Sequence, residues 1–341
     1  MAATGQTVRA GPDLAPSRER VRALREGRVV VPDDVAIFRV AGPGALECLQ
    51  GLLTNDLVQP GEGSLVYGAL LTPKGMIVVD YWVIRGGGAD GFLLIADRLG
   101  REPSLELFRK QLPPRLARVT DLSDEWRVLW LLGGPEGRSL SVAGLSPVLL
   151  EPGRASAMPE EAPPLWVAAG PPPAPFQLLL AGPRAALSGV ADALRAGAAR
   201  GAKLGDRDEL LAARVLAGWP TLGAEIDART LPQEVRYDEI GGVSYTKGCY
   251  VGQETVARVH FRGHPNRCLR GLVIEGADPL AERRLERHGK QVGTARTALA
   301  LGDRTLALAP VRREVAPGDE VAISGRRARV EALPFATTLL E

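Results

Sequence analysis

Lys247-Gly248-Cys249-Tyr250-Val251-Gly252-Gln253-Glu254 places one thiol between a lysine and two glycines, with an amide and a carboxylate four and five positions on. A solvated turn gains nothing from a thiol, and a buried strand gains nothing from a lysine two residues earlier. Cysteine reacts as the thiolate, and a nearby cation such as Lys247 favours that form. Gly248 and Gly252 allow positive φ or a close approach of backbone to a ligand. Gln253 and Glu254 can hydrogen-bond a heteroaromatic ring or orient the lysine. On residue types alone a second reading stays open: a small buried cysteine in a glycine-bounded turn.

The chain around this run has 341 residues, enough for two or three domains. Hydrophobic residues make up 45% and charged residues 24%, the balance of a globular protein. Forty-two basic against 40 acidic side chains leave a net charge of +2, which lacks the basic excess of a general nucleic-acid binder. Arg258, Arg262, Arg267 and Arg270 form a local basic run behind the motif. The three cysteines, Cys48, Cys249 and Cys268, imply a reducing compartment without a disulfide framework. Without a C-x-x-C pair they cannot supply the four ligands of an iron–sulfur cluster. The histidines at 260, 264 and 288 have no paired spacing, so no metal site and no stably bound metal are expected. Arg18, Glu19, Arg20, Arg22, Arg25 and Glu26 keep the N-terminal region polar, with no secretory h-region, and no uncharged apolar run reaches membrane-spanning length. A cytoplasmic protein with no membrane partner is expected.

Residues 1–30 read as a lead-in with a short basic helix. Val35 to Val40 reads as a strand, and Pro43 and Gly44 open a helix from Ala45 to Leu52 that carries Cys48 as a packing residue. Strands are predicted at Tyr67–Leu71, Met76–Ile84 and Phe92–Ala96, separated by turns at 72–75 and 86–91, and a helix at Arg101–Gln111. The Gly- and Pro-rich span 132–175 predicts short strands and a loop. A strand at Phe176–Ala181, an Ala-rich helix from Pro183 to Ala199 and a helix from Asp208 to Ala217, stopped by Gly218 and Pro220, follow. Past Leu269 short strands at 272–274, 291–297, 306–310, 320–323 and 328–332 suggest a small closing barrel, with Cys268 at its entrance. Gly42-Pro43-Gly44 carries no dinucleotide fingerprint, because Pro43 splits the glycines and no third glycine follows in register.

Beyond the opening motif, Leu231-Pro232-Gln233-Glu234, Gly241-Gly242-Val243-Ser244, Val256-Ala257-Arg258 and Phe261-Arg262-Gly263 stand in an order and spacing that resemble the YgfZ-type folate-binding proteins, relatives of the glycine-cleavage T protein. Upstream, Phe38, Gly42, Leu49-Gln50-Gly51, Thr54-Asn55-Asp56, Thr72-Pro73-Lys74-Gly75, Gly218, Pro220 and Gly223-Ala224-Glu225-Ile226 extend the likeness from about residue 33 to the end. The resemblance implies an α+β, T-protein-like fold: antiparallel sheets with helices in two intertwined domains, plus a C-terminal β-barrel, around a central folate cavity. The corresponding boundaries are a polar lead-in at 1–30, the α+β core at 31–267 and the barrel at 268–341.

The same resemblance implies a folate-binding accessory protein for iron–sulfur cluster assembly or repair, supporting iron–sulfur enzymes such as those that methylthiolate tRNA. Cys249 would be its key thiol, with Lys247 lowering the thiol pKa or meeting the acidic tail of folate. Asp80, Gly248, Tyr250, Gly252, Gln253, Glu254, Arg258 and Arg262 would hold tetrahydrofolate or a derivative. Client iron–sulfur enzymes would bind transiently to a monomer. Direct tRNA binding is not expected, because aromatic residues are 5% of the chain and only Tyr250 and Phe261 offer a stacking surface near the arginines.

Two positions depart from the T-protein pattern or bear on it. Cys249 stands where T proteins carry an aspartate, which favours the YgfZ branch. The alternative is an aminomethyltransferase of the glycine-cleavage type, passing a one-carbon unit to tetrahydrofolate. Asp80 falls where T proteins carry the acid that works on folate, and its plainer reading is a surface carboxylate before Tyr81-Trp82. Leu216 replaces the glutamate that anchors the pterin, and leucine accepts no N–H. Either folate binds more weakly, or Asp80 or Glu254 takes over.

Overall fold

The computed structural model describes residues 12–16, 18–25, 29–86, 91–133, 150–158, 165–195 and 203–336. Among them the strands form three sheets. The first is fully antiparallel, in the order β4-β5-β6-β3-β7, from β3 (Ala36–Ala41), β4 (Ser64–Leu71), β5 (Ile77–Arg85), β6 (Phe92–Ala96) and β7 (Arg118–Asp121). Helices α2 (Ala45–Gln50) and α3 (Arg101–Gln111) accompany it. Phe108 of α3 meets Phe38 edge-on at 5.4 Å, and the Tyr81 hydroxyl makes a short bond with Ser104 of α3. Because side chains alternate along a strand, Tyr81 points to α3 while its neighbours Asp80 and Trp82 point to the opposite face. The register sets Tyr67 against Trp82 and Ala69 against Asp80 on that face.

The second sheet has the order β12-β2-β8-β11-β10-β9, from β2 (Val29–Asp33), β8 (Trp126–Leu132), β9 (Ala155–Met158), β10 (Leu165–Ala169), β11 (Leu178–Pro183) and β12 (Lys203–Leu204). The chain lays down β2, leaves to build the whole first sheet, and returns with β8 to pair with β2. That excursion is the physical content of the intertwining. Helices α4 (Arg184–Arg195) and α5 (Arg207–Ala217) pack here, and α1 (Arg18–Arg25) lies on α5. Helix α5 starts on an Asp206–Glu209 capping box and stops where Gly218 turns left-handed, at φ +64°.

The third sheet is a barrel: β13 (Arg267–Glu275), β14 (Arg284–Arg287), β15 (Lys290–Thr294), β17 (Arg304–Arg312), β18 (Glu320–Ile323) and β19 (Arg326–Glu331) close in the order β17-β13-β19-β18-β14-β15 through the pair Gly293–Val311. Strand β16 (Ala298–Leu301) adds to β17, and the early strand β1 (Asp13–Leu14) adds to β16 in parallel. Helix α6 (Gln253–Arg262) precedes the barrel. Among the described residues no helix is long and apolar enough to cross a membrane.

The strands expected in the first sheet, helix 101–111 and the barrel stand where the sequence placed them. Strands β1, β2, β7, β8, β12, β14 and β16 and helix α6 went unpredicted. Residues 87–90 of the expected turn, residues 134–149 and 159–164 of the Gly- and Pro-rich span, and the expected helix end at 196–199 lie outside the described residues.

Candidate functional site

The segment 241–251 has no regular structure of its own, so its shape comes from what it is tied to. The tie is the stretch 50–57 after α2. Thr54 donates its hydroxyl to the Gly242 carbonyl at 2.6 Å while its Oγ1 accepts Ala69 N–H at 2.9 Å. Asn55 Nδ2 donates to the carbonyls of Gly241 at 2.6 Å and Tyr67 at 2.8 Å. Ser244 N–H donates to Thr54 O, and Val251 N–H to Gly51 O. Three separate sequence motifs thus become one surface.

Lys247 is turned inward, against the sequence expectation. It is buried, and its ammonium donates to three backbone carbonyls: Gln50 at 2.7 Å, Leu53 at 2.6 Å and Asn55 at 2.9 Å. A lysine ammonium has three donors, so none is left for the Cys249 thiol or for a ligand carboxylate. Its role here is to cap the chain leaving α2, where helix-end carbonyls lack partners. Burial pulls its pKa down to about 8, opposed by Asp56. Its Nζ lies 5.1 Å above the Tyr250 ring. Tyr250 is buried too, which pushes its phenol up to about 12, and its hydroxyl has no partner.

Cys249 points the other way and is exposed, whereas Cys48 and Cys268 are part-buried, with thiol pKa values raised chiefly by burial. Gly248 is exposed, and a Cβ there would meet nothing within 4 Å, so no steric need for glycine shows at that position. Gly252 differs. It sits at φ +84° as the residue before α6, and a Cβ would come within 2.6 Å of the Thr72 carbonyl. Across the gap Gly75, at φ +83°, would set a Cβ 2.9 Å from Thr255. The 72–75 turn and the start of α6 therefore fit only as glycine against glycine. Gly252→Ala is expected to cost about 2 kcal/mol through forced positive φ and overpacking, read as a lower urea midpoint with an unchanged slope.

Gln253 is half-buried, and Glu254, Arg258 and Arg262 are exposed along α6. The two arginines were expected among the residues that hold folate. The structure puts both on a helix, exposed to solvent. Gln233, unmarked as a site residue by the sequence, holds this helix: its Nε2 donates to Val256 O at 3.0 Å and Tyr245 Oη at 3.1 Å.

Asp80 is not a surface carboxylate. The residue keeps some open surface, but Oδ1 is shut from solvent without a hydrogen-bond partner. Oδ2 accepts the Tyr67 hydroxyl at 2.8 Å, and that hydroxyl lies 3.2 Å from the Tyr237 hydroxyl. Burial raises the Asp80 pKa, with the Tyr67 hydrogen bond and Arg214 opposing, and burial likewise raises both tyrosines. Around it stand Tyr67, 4.7 Å from Trp219 and 4.9 Å from Trp82, with Trp82 stacked on Trp219 at 5.1 Å and edge-on to Phe176 at 4.9 Å. Arg214 of α5 leaves a buried Nε without a partner. These rings come from four stretches of chain, so nothing in the linear sequence marked them as one group. Leu216 lies half-buried on the same core. Asp80 and the motif do not touch. They are linked in relay: Asp80 to the Tyr67 hydroxyl, Tyr67 O to Asn55 Nδ2, Asn55 O to Lys247.

The unpartnered, shut-in oxygen of Asp80 is a free acceptor for an N–H donor. Among the described residues no cluster of three or more His, Cys, Asp or Glu is placed to hold a metal ion.

Comparison with known proteins agrees with this architecture. Residues 19–144 match the family model for the GCVT N-terminal domain. The chain is 30% identical over 279 residues to the tRNA-modifying protein YgfZ of Shigella boydii serotype 4, covering 80% of this chain and 81% of that one. It is 29% identical over 314 residues to the tRNA-modifying protein YgfZ of Escherichia coli O6:K15:H31, covering 89% and 91%. The crystal structure of the glycine cleavage system aminomethyltransferase T from Bartonella henselae matches with a TM-score of 0.75 at 19% identity, over 93% of this chain and 89% of that chain. At that identity the likeness establishes the T-protein fold. The thiol loop pinned to residues 50–57, the paired glycines and this similarity along most of the chain agree: the protein belongs to the YgfZ family.

Proposed function

We propose that this protein binds a reduced folate, tetrahydrofolate or a derivative, and serves in the cytoplasm as an accessory to iron–sulfur enzymes such as those that methylthiolate tRNA. The observation that carries the folate reading is the buried, unpartnered Oδ1 of Asp80 among Tyr67, Trp219 and Trp82. Asp80 accepts the pterin N–H donors that Leu216 cannot, Tyr67 holds the carboxylate in place through Oδ2, and the indoles exclude water. The bound folate supplies a one-carbon unit or reducing equivalents. Cys249, exposed on the pinned loop, is the group a client enzyme meets, and its contact is transient with a monomer of this chain. The cluster itself is cargo, with its remaining ligands donated by the client.

The test is methylthiolated tRNA in cells lacking their own family member, complemented with this chain or with Cys249→Ser. The intact chain is expected to restore the modification, and Cys249→Ser to leave it at least tenfold lower. Full restoration by the serine form would make the thiol structural. If neither restores it while both are folded, the accessory role fails. Aminomethyl transfer from a lipoyl carrier to tetrahydrofolate is then the reading to assay.

A further inference from the structure

We infer that the exposed face of α6 is a docking surface for single-stranded nucleic acid. The inference stands on this helix alone and makes no use of the folate site. From Thr255 to Ile274 the sequence has no acidic residue but has Arg258, Arg262, Arg267 and Arg270. Helical geometry lines up Glu254, Arg258, Phe261 and Arg262 at i, i+4, i+7 and i+8, and all four are exposed. Among the described residues the side chains of Arg258 and Arg262 have no ion-pair partner, whereas Arg267 lies within the electrostatic reach of Glu234. The acids of this region are Glu254, one turn before Arg258, Asp238 beside His260, and Glu234 facing Arg267.

The aromatic half of the surface is built, not incidental. Phe261 is 66% exposed, more than the other large apolar residues at the surface. Its ring stands edge-on to His260 at 4.7 Å and to Tyr245 at 5.8 Å. Those two rings stack at 3.7 Å and 20°. Asp238 accepts from the Tyr245 hydroxyl and lies 3.3 Å from His260 Nδ1, while Gln233 reaches the same hydroxyl. The stack is thus locked from behind, leaving Phe261 free in front.

Free cations interleaved with an exposed, rigidly backed ring match what unpaired nucleotides offer: phosphates for guanidinium groups and a base face for the ring. A duplex offers the phosphates but keeps its bases stacked, so the ring favours single strands. An acidic protein would satisfy the arginines but give Phe261 nothing specific. The sequence expectation against nucleic acid rested on the lack of a stacking platform. Folding α6 as a helix assembles one, with the exposed Cys249 four residues ahead of the helix.

The test is fluorescence anisotropy on the full chain with labelled 12-nucleotide RNA and DNA single strands, a duplex of equal length, and polyglutamate, at 50 to 200 mM salt. Single strands are expected to bind more tightly than duplex. Losing one stacked base makes Phe261→Ala about 5- to 100-fold weaker. Arg258→Ala with Arg262→Ala should flatten the log–log salt slope by about 1.4, at roughly 0.7 per phosphate contact on single strands. Arg327→Ala, on an exposed barrel strand, should change neither. RNA binding more tightly than DNA would show a contact to the 2′-hydroxyl, and equal binding would show stacking and phosphate contacts alone; both are consistent with the surface. No binding at 50 mM salt, an unaffected Phe261→Ala, a preference for duplex, or polyglutamate binding as tightly as the strands would each overturn it. All four substitutions are at exposed positions, and unchanged thermal unfolding confirms that the fold is intact.

Discussion

Lys247→Met is expected to lower stability by about 3 kcal/mol, through three lost bonds to a charged donor and three carbonyls left without it. Thermal unfolding should then come roughly 4 °C earlier. The reason is geometric. Gln50, Leu53 and Asn55 present carbonyl oxygens that converge on one point, and a tetrahedral ammonium fills it. Arginine should not rescue, because its planar fork cannot aim at three converging acceptors. Loss of the anchor also frees the loop that carries Cys249, so hydrogen exchange at 244–251 should rise beyond the global change. A Lys247→Met protein as stable as the parent, with only its cellular activity gone, would show that the lysine acts in chemistry and would sink the structural reading.

Asp80→Asn should separate binding from stability. Replacing an ionised acceptor by an amide should weaken folate binding about 10- to 100-fold. The same change should raise the melting temperature at neutral pH by roughly 1–2 °C for each kcal/mol of relieved burial cost. The sign follows from the raised pKa of Asp80. Below the unfolded value of 3.8 the carboxyl is protonated in both states and costs nothing. As pH rises through the folded pKa the native state must ionise in a buried place, and stability falls. Hence the advantage of asparagine should grow as pH rises above 3.8 and vanish on acidification. Asp33, Glu225 and Glu234, also raised by burial, are common to both proteins and cancel in the difference. Unchanged folate affinity would remove Asp80 as the pterin acceptor, and a lower melting temperature would mean its charge is compensated in the fold.

The sequence was most legible where periodicity and turns are local. The β4–β5 hairpin, α3 and the closing strands of the barrel are of this kind. Strand β2 was hidden by Pro32, which argues against a central strand. The fold tolerates it because β12 pairs only with Val29 and Val30, leaving no partner for a donor at position 32 on that side. Helix α6 was hidden by Thr255, Val256, Val259, His260 and Phe261, weak helix formers. Burial of Val256 and the Gln233 bond to its carbonyl override that preference. At the site, adjacency in sequence misled: Lys247 and Cys249 are neighbours in the chain but face opposite ways. The signal for Lys247 lay 200 residues upstream, in helix-end carbonyls needing donors. The walls around Asp80 left no trace, because Tyr67, Trp82, Phe176, Trp219 and Tyr237 are spread over the chain and meet only in three dimensions.

Strand β1 pairs with β16 across nearly the whole chain, Leu14 against Leu299, and β2 must wait for β8. On the ribosome this order has a cost. The first sheet can form soon after β7 emerges, yet the edges of Val29-Val30-Val31 stay open meanwhile. At ordinary elongation rates Leu14 waits roughly 15–60 s for its partner. Until β8 emerges the nascent chain shows the unpaired valines of β2, and until β16 emerges Leu14 has no strand partner. A premature stop anywhere before β16 yields a product that cannot seal its own beginning.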